Sequence, residues 1–426
     1  MNIGMVGMGK LGLPVALAIE SRGHQVTGYD ISPDPARYLE ERSIPYQEEG
    51  LQPLLDGHQI RMTPSLGILV ARSDILFVPV QTPHDARYGG DVPLPDTRKD
   101  FDYTYLKEAV GNISSVAGAL GKRTILATIS TCLPGTYERE IKPLIGDKID
   151  YVYTPQFIAM GTVLEDYLHP EFNLIGVEGE ETADQLERFY ATINDAPNVR
   201  TDITTAEGIK VSYNTWITAK TVVANAWGEL AHKTGMNFDD IKRAWDLSTK
   251  RIHSPKYTDS GVGDGGGCHP RDNIALSWLA EEVGMSHNIW EDLMEAREAH
   301  MEWLAKGAWE LSVEHNLPIV ILGRSFKPET NIETGSPAVL ASNIFKEHGV
   351  AHQHYEDIEG VLQPAVYMIG TKHERYKDVR FPKGSVVLDP FRWLENQDGV
   401  KIIRIGKQNG RSPNSPTTET KHTPTN

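Results

Sequence analysis

Cysteine is almost missing from this chain: Cys132 and Cys268 are the only two in 426 residues. Two thiols supply neither a disulfide framework nor a zinc-ligand spacing. A reducing cytoplasm is therefore the expected compartment. No His/Asp/Glu cluster has metal spacing either, and no metal is expected. Long hydrophobic runs are also lacking, so no membrane-spanning helix is expected. The first residues read as a strand and a glycine loop rather than a signal peptide. Positive charge is in deficit, with a formal net charge of -16. That argues against general binding to nucleic acid or an anionic membrane, while leaving room for a local basic pocket around a phosphate.

The hydrophobic content of 39% and charged content of 23% are those of a soluble globular protein. The length calls for two or three domains. Strand patterns at Asn2–Val6, Gln25–Tyr29, Ile75–Val80, Thr124–Ile129, Tyr151–Tyr153 and Asn173–Val177 alternate with helical ones, beginning with Leu13–Ser21. This order predicts a doubly wound parallel α/β sheet. A long helix is predicted from about Thr205 to Lys233. Strands at Pro318–Leu322, Ala365–Ile369 and Ser385–Leu388 then announce a second Rossmann-like domain. The tail after Ile405, rich in Pro, Thr, Asn and Ser, reads as disordered. The division expected is 1–204, 205–304 and 305–406, with 407–426 as tail.

Gly7-Met8-Gly9-Lys10-Leu11-Gly12 has the G-x-G-x-x-G spacing. It follows a strand, opens a helix, and is answered by Asp30 at the end of the second strand, the context of a dinucleotide site. The glycines permit a tight turn and close approach of pyrophosphate, and the helix N-terminus offers N–H donors. Asp30 would accept from ribose hydroxyls and repel a 2′-phosphate, which favours NAD over NADP. Pro14 is tolerated in the first turn because its missing N–H would be unpaired there anyway.

Two further features carry chemistry. Glu207, Lys210, Asn214, Thr218, Thr221 and Asn225 recur along one stripe of the long helix, from Glu207 to Asn225 in about five turns. Such a stripe is either a solvated face or the lining of a site. A lysine there could stabilise an oxyanion, and an asparagine could orient water. The second feature is Gly263-Asp264-Gly265-Gly266-Gly267-Cys268-His269-Pro270-Arg271-Asp272. A thiol after a glycine run and beside a cation suits a nucleophile that substrate can approach. Cys132 reads as a small buried hydrophobe.

On these residues the chain resembles the UDP-glucose/GDP-mannose dehydrogenase family. The cysteine segment is similar to the family's catalytic loop, and Glu207-x-x-Lys210-x-x-x-Asn214 to its central helix. Gly323-Arg324-Ser325-Phe326-Lys327-Pro328-Glu329-Thr330 resembles its third-domain signature. Val80-Gln81-Thr82-Pro83 and Ser130-Thr131-Cys132-Leu133-Pro134-Gly135-Thr136 resemble two loops at strand ends, and Arg251 an arginine ahead of the cysteine. The resemblance implies two Rossmann-like domains joined by a helical dimerisation region, a homodimer through that region, and a C-terminal domain for the sugar nucleotide. It implies an NAD-dependent four-electron oxidation at the sugar C6, from alcohol through aldehyde to carboxylate, in the biosynthesis of uronic acids. Cys268 would form the thiohemiacetal and thioester, Lys210 and Asn214 would hold the oxyanion, Asp272 would place the water, and Thr131 and Gln156 would complete the catalytic set. Gly7, Gly9, Lys10, Leu11, Gly12, Asp30, Val80, Thr82, Pro83, Ser130, Thr131 and Arg271 would hold the cofactor. Phe157, Lys210, Asn214, Arg251, Tyr257, Gly263, Phe326 and Lys327 would meet the substrate. UDP-glucose, a UDP-N-acetylhexosamine and GDP-mannose all stay open, and a UDP-sugar is favoured because most of the family uses one.

The chain also departs from the family. Thr154-Pro155-Gln156-Phe157 stands where Asn-Pro-Glu-Phe is usual, and Ala159 and Met160 replace an arginine and a glutamate. Gln156 can bind water but cannot take its proton. Two outcomes stay open: hydrolysis carried by Asp272 and Lys210, or a reaction that stops at the aldehyde. A two-electron hydroxyacid dehydrogenase would share the Lys-x-x-x-Asn helix but lack the cysteine loop and the second Rossmann-like domain. A sensor of sugar nucleotide or NAD would not need Cys268, Lys210, Asn214 and Asp272.

Overall fold

The computed structural model describes residues 1–407 except 84, 86, 88–92, 94, 95, 264, 267 and 357–362. The tail beyond 407, and Asp264 and Gly267 of the cysteine segment, lie outside the described residues. The described residues form two compact units, divided between Lys220 and Thr221.

The first unit is built on an eight-stranded sheet. Its strands are β1 (Asn2–Val6), β2 (Gln25–Tyr29), β3 (Arg61–Met62), β4 (Ile75–Val78), β5 (Thr124–Thr128), β6 (Ile149–Tyr153), β7 (Asn173–Val177) and β8 (Asn198–Thr201). They lie in the order β3-β2-β1-β4-β5-β6-β7-β8. Every pairing is parallel except β6 with β7, a departure from the all-parallel expectation. Alternate side chains serve the two faces. Ile3, Met5, Ile75, Phe77, Ile125 and Ala127 enter one core, while Val6, Leu76, Val78 and Leu126 enter the other. Burial on both faces is why β4 reads Ile-Leu-Phe-Val without a polar residue. The order reverses between β1 and β4, which puts the ligand crevice of such a sheet at the ends of those two strands.

The second unit carries a five-stranded parallel sheet of β9 (Ile319–Leu322), β10 (His352–Tyr355), β11 (Val366–Ile369), β12 (Val386–Asp389) and β13 (Lys401–Arg404). Its order is β10-β9-β11-β12-β13, with the switch point between β9 and β11. The same alternation sorts Ile319, Ile321, Val366 and Met368 from Val320, Leu322, Tyr367 and Ile369. Ahead of it stand the helices His269–Glu282 and Ile289–His315.

The long helix runs from Ile203 to Thr234, a little beyond its expected bounds, and the division between the units falls within it. Its polar stripe is not one surface. Glu207 and Lys210 are buried, at 1% and 8% exposure, while Asn214, Thr218, Thr221 and Asn225 are exposed. The first turns pack into unit 1 and the later ones leave it.

Candidate active site

The dinucleotide loop begins where β1 ends. Gly7 has φ +102°, and its N–H donates to the Tyr29 carbonyl at 2.9 Å. A Cβ on Gly12 would stand 1.9 Å from the Gly7 carbonyl oxygen, so the helix Gly12–Ser21 can start this close to the loop only from glycine. A Cβ on Gly9 would meet nothing within 4 Å. The side on which pyrophosphate would approach is open. Asp30 closes the cradle: its Oδ2 accepts from Met8 N–H at 2.6 Å and its Oδ1 from Ser32 N–H at 2.8 Å. Lys10 is exposed and Leu11 half-buried on the turn. The residues present fit a dinucleotide with an unphosphorylated ribose.

Across the switch point the loops after β4 and β5 are stitched together. Ser130 Oγ donates to the Val80 carbonyl, and Thr82 Oγ1 to the Thr131 carbonyl at 2.9 Å. Pro83 accepts from Asp102 N–H at 2.8 Å. Cys132 is buried, and its thiol is pushed well above the ordinary range by that burial. Its N–H donates to the Tyr153 hydroxyl at 3.1 Å. This cysteine is a packing residue.

Glu207 has a defined partner set. Its carboxylate accepts from Gly135 N–H and Tyr137 N–H, each at 2.7 Å, at the start of the π-helical turn Tyr137–Ile141. Burial raises its pKa, opposed by those backbone donors. One turn on, Lys210 Nζ donates to the Gln156 carbonyl at 2.7 Å and lies 4.9 Å from the centre of the Phe157 ring. Burial alone lowers the Lys210 pKa. The long helix thus ties the Thr131 loop, through Glu207, to the Gln156–Phe157 segment, through Lys210. Asn214 is exposed two turns beyond Glu207, and its carbonyl accepts from Thr218 Oγ1.

In the second unit Cys268 is exposed and caps the N-terminus of the helix His269–Glu282. Asp272 N–H donates to the Cys268 carbonyl at 2.8 Å. Arg271 grips Asp272 Oδ1 through Nε at 2.9 Å and Nη2 at 2.7 Å. That bond, then the charge of Asp272, raises the pKa of the guanidinium. The N-terminus of the helix and the Arg271 guanidinium therefore both lie at the thiol. Asp272, expected to place water, is engaged by its neighbour.

The glycines before Cys268 have a packing reason. A Cβ on Gly265 would meet Pro337 at 2.9 Å and Phe326 at 3.2 Å; one on Gly266, with φ +99°, would meet the Phe326 ring at 3.0 Å. Gly335 is needed in turn, since its Cβ would fall 2.2 Å from the Gly266 carbonyl oxygen. The cysteine segment therefore rests on the Phe326–Pro337 stretch, and three expected site residues, Cys268, Gly263 and Phe326, share one region. Gly263 N–H points at Met301 Sδ, 3.3 Å away. Lys327 is exposed, its Nζ 5.4 Å from the centre of the Phe326 ring. Tyr257, exposed and left-handed at φ +66°, sets its ring against His269. Arg251 is exposed on the turn Arg251–Ser254.

Sequence reasoning missed Thr154 and Tyr190, which hold Gln156. The Tyr190 hydroxyl bonds Thr154 Oγ1 at 2.5 Å, and Gln156 Nε2 donates to it at 3.1 Å. It also missed a repeated device at β9. Gly323, at φ +95°, donates to the Tyr355 carbonyl at 2.7 Å, and Glu356 accepts from Arg324 N–H at 2.5 Å. Those are the relations of Gly7, Tyr29, Asp30 and Met8. The dipeptides Tyr29-Asp30 and Tyr355-Glu356, each closing a strand, were the available signal.

Residues 1–194 match the NAD-binding domain of the UDP-glucose/GDP-mannose dehydrogenase family, and residues 204–298 its central domain. GDP-mannose 6-dehydrogenase of Pseudomonas aeruginosa is 30% identical over 352 residues, 80% of this chain and 77% of that protein. UDP-glucose 6-dehydrogenase of Rhizobium meliloti is 28% identical, over 85% of this chain and 82% of that one. The crystal structure of a ternary complex of the P. aeruginosa GDP-mannose dehydrogenase superposes with a TM-score of 0.83 at 24% identity, covering 94% of this chain and 99% of the other.

Proposed function

Since this chain belongs to the UDP-glucose/GDP-mannose dehydrogenase family, we propose that it oxidises the C6 hydroxymethyl group of a nucleotide sugar to the carboxylate, through a covalent intermediate on Cys268. The observation that carries this reading is the exposed Cys268 thiol at a helix N-terminus beside Arg271. Bound NAD accepts one hydride, and oxidation from alcohol to acid releases two, so two NAD serve each sugar. The first hydride leaves an aldehyde. Cys268 Sγ bonds to that carbon and the thiol proton passes to its oxygen, giving a thiohemiacetal. Loss of the second hydride and the hydroxyl proton leaves a thioester, which water cleaves to carboxylate and thiol. Lys210, with Asn214, stabilises the developing oxyanion. Lys327 meets the diphosphate, Arg251 the substrate, and Arg271 the cofactor phosphates.

GDP-mannose heads the substrates to be tested, ahead of the UDP-sugars expected from the sequence, because a GDP-mannose 6-dehydrogenase is the relative at 30% identity. The protein is a homodimer in this reading, through the central helix. Trp216, Ile217 and Val222 stand exposed around it, Trp216 at 56%, apolar surface that a second copy would cover. Light scattering that returned a monomer would refute the dimer.

The test of function is NADH yield with GDP-mannose, UDP-glucose and UDP-N-acetylhexosamines, for the wild type and Cys268→Ala. Two NADH per sugar are expected, falling to one or none in the variant. A single NADH, unchanged by the substitution, would favour the second reading, release of the aldehyde, which the amide at Gln156 recommends. No turnover on the whole panel would turn attention to a sensor.

A further inference from the structure

The turn after β2 reads Asp30-Ile31-Ser32-Pro33-Asp34-Pro35-Ala36-Arg37 and leads into the helix Asp34–Glu41. Two backbone N–H groups from different segments converge on the half-buried Asp30 carboxylate: Met8, from the glycine loop, at 2.6 Å, and Ser32 at 2.8 Å. Convergent N–H groups bind an anion, and here the anion is a side chain of the protein. A second carboxylate meets the Ser32 hydroxyl. Ser32 Oγ donates to Asp34 Oδ2 at 3.4 Å and accepts from Asp34 N–H at 3.2 Å. The other oxygen of Asp34 accepts from Arg37 Nη2 at 2.7 Å, one turn along the helix. A chain of polar contacts thus runs from the glycine loop to Arg37. Along it two N–H groups, a hydroxyl and a guanidinium each end on Asp30 or Asp34. Pro33 before the helix, at φ −74°, and the buried Pro35 in its first turn restrict the backbone that carries these donors.

We propose that Asp34 is a second determinant of the preference for NAD: the turn Asp30–Arg37 holds the donors of a 2′-phosphate site, which Asp30 fills and Asp34 disables by neutralising Arg37 and engaging the Ser32 hydroxyl. The proposal requires the cofactor cradle of the first unit alone and no reaction on Cys268. In the dinucleotide site of such a sheet, the acid after the second strand accepts from the ribose 2′-hydroxyl, so a 2′-phosphate would fall where that carboxylate stands. Backbone N–H groups, a hydroxyl and an arginine are the partners that a phosphate takes. Asp30 excludes the phosphate directly, by charge and by volume. Asp34 acts one step further out. Its pair with Arg37 is exposed at both side chains, 48% and 57%, so it adds little to folding. Freed of Asp34, the guanidinium can fork onto phosphate oxygens instead. Removal of Asp30 alone uncovers two N–H groups but leaves the charges of Asp34 and Arg37 cancelling. Removal of both leaves the Arg37 charge to meet a phosphate of about −2.

Calorimetric titration of the full chain with NADP and with NAD, in the absence of sugar, tests this. Asp30→Ala should tighten NADP about threefold, and Asp34→Ala less than about twofold, because Asp30 still fills the site. The two together should tighten it about thirtyfold or more, well beyond the product of the single effects. Adding Arg37→Ala to the pair should return NADP to within about threefold of Asp30→Ala. NAD, which lacks the phosphate, should not follow these changes. A double variant that binds NADP no better than Asp30→Ala would overturn the proposal. So would a gain that survives Arg37→Ala, since it would then come from lost negative charge and not from a site. An equal loss of NAD and NADP in Asp34→Ala, with a lowered melting temperature, would make Asp34 merely structural and overturn it as well.

Discussion

Replacing Lys210 by methionine keeps most of the side-chain volume and removes the charge. In the proposed reaction the ammonium stabilises negative charge on the C6 oxygen in a largely dehydrated setting. Loss of one such donor costs about 10²–10³ in kcat, or about 2.7–4 kcal/mol of transition-state stabilisation. Folding should be affected far less, because two terms oppose. The Gln156 carbonyl loses its donor at 2.7 Å, a cost of about 1–3 kcal/mol for a buried acceptor. Against this, an ammonium held in place by a carbonyl and the Phe157 ring, with only burial acting on its pKa, no longer has to be dehydrated. The melting temperature should move by a few degrees at most. Its pH dependence has a fixed sign. The folded pKa of Lys210 lies below the ordinary 10.5, so between those values the unfolded chain binds the extra proton. Wild-type stability therefore rises with pH across that window, relative to Lys210→Met, which lacks the group. Single-turnover NADH formation and paired melts from pH 7 to 10 supply the data. A kcat within threefold of wild type, or a melting difference flat with pH, would refute the reasoning.

Gly9 and Gly12 should separate binding from folding. Gly9→Ala, whose methyl meets nothing in the protein, should leave the melt unchanged and weaken NAD about tenfold in a calorimetric titration. Gly12→Ala drives a methyl into the Gly7 carbonyl and should lower both affinity and melting temperature. Asp30→Ala should reduce the preference for NAD over NADP about tenfold in kcat/KM. Glu207→Gln leaves one of two backbone donors facing an amide nitrogen, and should cost about 1–3 kcal/mol in a denaturant titration; a silent substitution would mean that Glu207 does not hold the turn.

The interior strands were legible in the sequence, and several edge strands were not. β1, β2 and β7 fall at their expected bounds because short apolar runs end at glycine or polar residues. β3 has two residues, β8 is Asn-Val-Arg-Thr, β10 is His-Gln-His-Tyr and β13 is Lys-Ile-Ile-Arg. Each stands at the edge of its sheet, paired on one side only, where polar residues are favoured and apolar periodicity fails. At the site, the glycine loop and Asp30 were legible because both are local. The stripe on the long helix was legible as an alignment, but periodicity could not say that Glu207 and Lys210 would be buried and Asn214 left outside. Tyr190 was invisible, since its partners lie in another element and nothing in its own surroundings marks it.

The two sheets show why only the first advertises a nucleotide in its sequence. Both end their first strand in a left-handed glycine bonded to a tyrosine carbonyl, with an acid after that tyrosine receiving the next N–H. After Gly7 the helix starts at Gly12, so backbone donors face the crevice and the spacing of glycines is legible. After Gly323 no helix of the sheet begins until Pro337. The intervening segment instead lies under Gly265 and Gly266. The acid has changed its task as well. Asp30 meets two backbone N–H groups. Glu356 meets the N–H groups of Arg324 and Ser325 and also His373, at 2.7 Å, and Arg375, at 2.9 Å. Its charge is consumed inside the fold, where it fastens the loop. The first copy of the device is arranged to meet a ligand, and the second to hold still the segment on which Gly265 and Gly266 rest.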